Sequence, residues 1–139
     1  MSAGLVRDAN GPEWLDDRLV TGDSLPEPGL LVHLAGSWCD VCGRAEFPQR
    51  TSCPQCLGET SMRALSNAGT VVGHTAVLHQ PPGSLLDAPY GVVAVEHDKG
   101  VSVLGPLVGC PWDGVRVGDT VVTVSIEVGD RLGFGYRLE

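Results

Sequence analysis

Four cysteines in the segment CDVCGRAEFPQRTSCPQC carry the spacing that most clearly dictates a chemistry in this chain. Cys39 and Cys42 form one CxxC pair, Cys53 and Cys56 a second, and ten residues separate the inner two. A two-residue spacer curls the backbone into a tight turn with both sulfurs on its inside. Two such turns face to face make a closed four-thiolate site, the pattern of a rubredoxin-like zinc ribbon. One pair alone also suits a redox dithiol, whereas two pairs at this distance favour a structural Zn2+. With every coordination position taken by sulfur, none is left for water or substrate, so the metal is a staple rather than a catalyst. Iron stays open as the metal, because Cys39-x-x-Cys42-Gly43 matches half of a rubredoxin site. The second half departs from it, with Leu57 standing where glycine belongs.

Other reactive side chains are less well placed. Cys110 lies in the loop Gly109-Cys110-Pro111-Trp112. A nucleophilic cysteine needs a depressed pKa and a histidine beside it, and the sequence brings none of His33, His74, His79 and His97 to it. Cys110 reads as a small apolar filler or a loop thiol. His74 is in phase with Val72, Ala76 and Leu78, as a core or barrel-mouth histidine would be. His79 opens the Gln80-Pro81-Pro82-Gly83 loop, which either binds a ligand or stiffens a connection. No acid pair has general acid/base spacing, and the chain carries no phosphate-binding glycine loop and no GxSxG.

Composition narrows the class. The chain has 139 residues, with 19 Gly, 10 Pro and seven aromatic side chains (three Trp, two Tyr, two Phe). That mixture suits short strands joined by tight turns, not a helical bundle. No run of about eighteen apolar residues is present, and MSAGLVRDANGPEW lacks the apolar centre of a signal peptide. A cytoplasmic chain with reduced thiols is expected. The net charge is −8, with nine of the acids in residues 1–60 and eight in 61–139. Such a chain repels polyphosphates. A single-stranded nucleic-acid binder, the competing class for a ribbon joined to a barrel, needs a basic groove and stacking aromatics. Here only Phe134 and Tyr136 on the strands could stack.

Three segments must position these residues. Residues 1–29 form an acidic arm, in which Asn10-Gly11-Pro12 can start a short helix with Trp14, Leu15 and Leu19 as its apolar stripe. Two turns of helix need a surface to pack on, so the arm is either a docking element or a tail, and Pro26-Glu27-Pro28-Gly29 ends it. Residues 30–65 hold the ribbon: Leu30 to Trp38 leads in, and Phe47-Pro48 caps its small core. Residues 66–139 show five strand-like runs, Thr70–His79, Gly91–His97, Val101–Val108, Thr120–Val128 and Leu132–Leu138. In the fourth, Val122, Val124, Ile126 and Val128 share a face; in the fifth, Leu132, Phe134, Tyr136 and Leu138 do. His97 to Gly100 makes a hairpin turn, and Gly73 and Gly105 read as bulges or bends of a closing barrel. Five short strands without intervening helices predict a mainly β chain with a five-stranded OB-fold barrel.

The order of these parts resembles the zinc-ribbon plus OB-fold family once labelled domain of unknown function thirty-five. The resemblance spans roughly residues 30–128. It is carried by GSWCDVCGRAEFPQRTSCPQC, LSNAGTVVGHTAVLHQPPG, APYGVVAVEHDKGVSVLGPLVG and VRVGDTVVTV. Family members are typically non-catalytic subunits of thiolase or lipid-transfer-protein-like enzymes, which act on acyl-CoA thioesters. The resemblance implies that Cys39, Cys42, Cys53 and Cys56 hold the zinc and that a thiolase-fold subunit is the partner. The helices that usually feed the ribbon are reduced here to the acidic arm. An acidic chain leaves the CoA phosphates to its partner. Trp38, Phe47, Pro48, Arg50, Gln80, Pro81, Pro82 and Tyr90 are then expected to wall the entrance for the uncharged pantetheine or acyl chain.

Overall fold

A computed structural model describes residues 13–14, 20–21, 29–80, 82, 86–97, 100–128 and 131–139. Its strands in chain order begin with β1 (Glu13–Trp14), β2 (Val20–Thr21), β3 (His33–Cys39), β4 (Ala45–Glu46) and β5 (Thr60–Ala64). They continue with β6 (Ala68–Val77), β7 (Tyr90–Glu96), β8 (Ser102–Leu107), β9 (Thr120–Val128) and β10 (Arg131–Leu138).

Five of these close on themselves in the order β10-β8-β7-β6-β9 and back to β10. Closure depends on β6, whose first residues pair with β9 (Ala68 with Val122, Thr70 with Thr120) while the remainder pairs with β7. The register shifts between Val71 and Gly73, the bulge expected at that glycine, and a bulge adds the twist a small barrel needs. On the other side β10 meets β8 in parallel through Tyr136 and Leu107. This is the OB-type barrel that the strand pattern predicts.

Gly105 has a different reason from the one expected. It pairs regularly with Val93, and a Cβ there would lie 2.8 Å from the Tyr136 ring and 3.0 Å from that of Phe134. Glycine admits two aromatic rings into the barrel rather than bending the strand. Those rings meet edge to face, with centroids 6.0 Å apart. Val71, Val93, Val95, Leu107, Val115 and Val121 fill the interior around Tyr136.

Both faces of β9 are buried. Val121, Thr123 and Ser125 point inward, because they stand opposite Leu138, Tyr136 and Phe134 of β10. The Val122, Val124, Ile126 and Val128 face is on the outside of the barrel, where Leu86 and Val108 pack against it. Periodicity identifies the two faces of a strand but not which one a closed barrel takes in.

The ribbon sheet is built on β3, with β4, β5 and β2 paired to it. It is fused to the barrel along a shared core of Val32, Leu34 and Leu65 from the ribbon and Val101, Val103 and Leu132 from the barrel. Each fully buried Leu contributes roughly 1.5–3 kcal/mol. The lead-in chain also lies along β9, where Gly29 N–H donates to Ser125, Ser125 N–H to Leu30 and Val32 N–H to Thr123. Asn67 locks the same junction: its amide nitrogen donates to the carbonyls of Val32 (2.7 Å) and Thr123 (2.8 Å).

The helical arm is corrected where it can be seen. Glu13–Trp14 is extended and parallel to β10, beside Arg131 and Leu132, and Val20–Thr21 is antiparallel to His33 and Leu34. The physical reason is that strand pairing satisfies backbone groups at once, whereas two turns of helix leave most of theirs open. The remainder of the arm lies outside the described residues.

Candidate metal centre

Each CxxC pair sits on a tight turn closed by backbone hydrogen bonds. Gly43 N–H donates to Cys39 O (2.9 Å) and Leu57 N–H to Cys53 O (2.9 Å). The turns are then clasped from behind, Cys39 N–H to Arg44 O at 2.8 Å and Cys53 N–H to Gly58 O at 3.0 Å. Repeating the same bonds in both turns aims four sulfurs at one point. Sγ–Sγ distances are 3.4 Å for Cys39 and Cys56, 3.6 Å for Cys42 and Cys53, and 3.9 Å for Cys42 and Cys56. Metal–sulfur bonds of about 2.3 Å in a tetrahedron require sulfurs about 3.8 Å apart. All four lie within 4.8 Å of one another, so the residues fit a tetrahedral S4 metal.

Backbone N–H groups also point at the sulfurs, Cys42 N–H at Cys39 Sγ and Gly58 N–H at Cys56 Sγ, both at 3.4 Å. The Cys42 N–H pulls the Cys39 thiol down to about 6, against the effect of burial. At Cys56 the Gly58 N–H acts downward too, but the Cys39 sulfur and burial overcome it and push the thiol up to about 12. Four sulfurs this close cannot all carry charge without a cation between them. A divalent metal would supply it.

The two turns differ in one position. The residue after the second cysteine has positive φ in both, 74° at Gly43 and 62° at Leu57. Leu57 thus adopts the left-handed conformation that the sequence suggests only glycine would take.

The remaining expected site residues separate into two groups. Trp38, on β3, lies under the Arg63 guanidinium, 4.7 Å from its ring centroid. Arg50 and Pro48 are exposed, and the Arg50 N–H donates to Ser37 Oγ at 3.2 Å. Phe47 turns inward, packing on the ribbon–barrel core and edge-on to Phe134 at 6.3 Å. Gln80 and Pro82 are exposed in the connection from β6 to β7, and Tyr90 is half-buried opposite Val77. Pro81 lies outside the described residues. The ten residues of β6, a path of roughly 30 Å, run between the ribbon group and the loop group.

His74 is exposed rather than in the core, and it stands opposite the barrel-core residue Val93. The bulge between Val71 and Gly73 breaks its phase with Val72. Cys110 packs against the barrel interior, and burial, helped by Asp113, raises its thiol, which suits a filler rather than a nucleophile. His97 is a buried polar residue that no local pattern marks. It is buried in the barrel, its Nδ1 at 2.9 Å from the Ser66 carbonyl and its Nε2 at 2.8 Å from the Tyr136 hydroxyl. Its partners lie 31 and 39 residues away, beyond any local pattern.

Fold and site define a thiolate metal ribbon fused to an OB barrel. The family model for the C-terminal OB-fold domain of ChsH2 matches residues 62–126. A DUF35 domain-containing scaffold protein of Methanothermobacter thermautotrophicus is 31% identical over 114 residues, 77% of this chain and 86% of that protein. One of the same description from Methanocaldococcus jannaschii is 32% identical over 113 residues, 76% of this chain and 80% of that one. The chain belongs to the DUF35 family. A probable enoyl-CoA hydratase alpha subunit of Thermomonospora curvata is 32% identical over 95 residues, 68% of this chain but 30% of that protein. Among solved structures, the Ltp2-ChsH2(DUF35) aldolase has the same fold, with a TM-score of 0.65, 24% identity and coverage of 76% of this chain and 84% of that one. A DUF35 protein from Sulfolobus solfataricus has a TM-score of 0.52 and 20% identity, covering 77% and 76%.

Proposed function

We propose that this protein is a non-catalytic accessory subunit of a thiolase-fold or lipid-transfer-protein-like enzyme acting on acyl-CoA thioesters, and that its metal is structural Zn2+. The observation that carries this reading is the likeness, across ribbon and barrel together, to proteins described as DUF35 scaffolds. The two-lobed fold of the Ltp2-ChsH2(DUF35) aldolase, an enzyme named for a DUF35 component, supports the choice of partner. The four sulfurs support zinc, since a tetrahedral S4 set with no redox requirement suits that ion.

The chain's own charge assigns the labour. At −8 it does not attract the CoA phosphates, so the partner supplies the cations. The half-buried Trp38 and the exposed Pro48 and Arg50 of the ribbon, together with Gln80, Pro81, Pro82 and Tyr90, are proposed to shape the approach to the partner's acyl-CoA site. Phe47 contributes from beneath by fixing the ribbon against the barrel.

Co-expression with the products of adjacent genes tests the reading. A thiolase-fold chain is expected to co-purify with this protein in a fixed ratio, and the complex to bind acyl-CoA in calorimetry while the isolated chain does not. Failure of every thiolase-fold candidate to co-purify sinks the proposal. Tight acyl-CoA binding by the isolated chain removes the shared site.

A further inference from the structure

The tip of the metal lobe carries two aliphatic side chains that the fold does not use. Leu57 is 79% exposed and Val41 73% exposed. They form one surface, because Gly58 lets Val41 close over the second turn: a Cβ at Gly58 would come within 2.8 Å of Val41 Cγ2. Leu57 also holds φ at 62°, where its twin position in the first turn is Gly43 at 74°. Gly43 shows that the turn and its sulfurs need no side chain there. A leucine at this position therefore bears backbone strain and leaves its apolar chain in water. Neither cost is returned by metal binding.

The surroundings of the tip are acidic. Asp40 and Glu59 are exposed beside it and linked through Asp40 N–H and Glu59 O. Of the three arginines of this lobe, Arg44 is occupied by Glu46 and Gln55, both at 2.5 Å, and Arg63 lies over Trp38, which leaves the exposed Arg50 against the two carboxylates. With a divalent metal bound, the four thiolates beneath would add a further formal −2.

We propose that Val41 and Leu57 form a docking knob that enters an apolar pocket with a basic rim on the thiolase-fold subunit. This rests on the accessory-subunit reading and names the surface that makes the contact. Charge complementarity selects the occupant. A second copy would bring Asp40 and Glu59 against their own kind, and an anionic lipid surface would repel them. A basic-rimmed pocket gains from both the apolar centre and the acidic edge.

Binding of the co-purifying thiolase-fold protein to the full-length chain tests the knob, with wild type, Leu57→Gly, Val41→Ser and Asp40→Lys/Glu59→Lys compared by calorimetry at two salt concentrations. Leu57→Gly is expected to retain its metal, to melt no lower than wild type and to bind at least tenfold more weakly. Val41→Ser weakens binding in the same direction, and the double lysine variant weakens it while flattening its salt dependence. Equal affinity of wild type and all variants overturns the knob and leaves the accessory reading standing. If the wild type binds no such protein, both fall. Two further outcomes also overturn the knob: self-association, or binding to phosphatidylcholine–phosphatidylserine vesicles, that Leu57→Gly abolishes while its affinity for the thiolase-fold protein is unchanged.

Discussion

The hydroxyl of Tyr136 donates to Nε2 of His97 across 2.8 Å inside the barrel. The direction follows from the other ring nitrogen. Nδ1 faces the Ser66 carbonyl, which only accepts, so Nδ1 carries the hydrogen and Nε2 of the neutral ring is left to accept. One imidazole thus ties the barrel interior to the linker between barrel and ribbon.

Tyr136→Phe removes the donor to Nε2 and is expected to cost about 1–2 kcal/mol in chemical denaturation. A pH dependence accompanies it. Burial raises the Tyr136 pKa above its ordinary value of 10.0, so the folded state holds the phenolic proton more tightly than the unfolded one. This contribution is complete below pH 10 and declines as the pH rises beyond it, since the unfolded chain then releases the proton first. Melting curves of wild type should fall more steeply above pH 10 than those of Tyr136→Phe. Parallel curves would show that Tyr136 does not drive alkaline unfolding.

Asn67→Ala takes a half-buried amide donor away from both Val32 O and Thr123 O. A loss of about 1–3 kcal/mol is expected. Asn67→Asp should be at least as harmful, because a carboxylate has no hydrogen to offer and faces two carbonyls. Hydrogen exchange should locate the loosening at residues 29–32 and along β9. Exchange unchanged there would mean that the shared apolar core alone holds the lobes together.

Gly105→Ala and Gly73→Ala separate two roles of glycine. At 105 the methyl would meet two ring edges at 2.8 and 3.0 Å, and overpacking of this kind costs about 1–3 kcal/mol. At 73 the nearest atom would be Ala94 Cβ at 3.9 Å, so the change should stay within about 0.5 kcal/mol. Equal melting temperatures for the two variants would contradict the aromatic contact.

Metal removal should unfold the ribbon before the barrel. The purified chain is expected to contain one zinc and no colour, where an iron form would be red. A strong chelator, or Cys39→Ser, should release the metal and expose Leu34, Leu65 and Phe47, read by dye binding and by faster proteolysis between residues 30 and 65. A ribbon equally protected with and without metal would show that the shared core, not the ion, is its main support.

The metal site was legible because its determinants are local. CxxC makes its own turn, so four sulfurs of one short segment converge almost irrespective of the rest of the chain. The five barrel strands were legible too, because alternation and turn residues are short-range signals, and β9 begins and ends where its pattern says. The helical arm was misread at Glu13–Trp14 because the partner that makes it a strand, β10, lies at the far end of the chain.

What only the tertiary structure decided are the relationships across distance. It placed the Val122–Val128 face outside the barrel, buried His97 on Tyr136, and turned Phe47 into the seam between the lobes. It also set Leu57 in a glycine's conformation, which follows from matching one metal turn to the other around a common centre. The sequence by itself determined which residues make a metal site and a barrel, since each is encoded within a few residues. How the two lobes meet, and which side chains remain for a partner, depended on packing between segments that no short-range pattern connects.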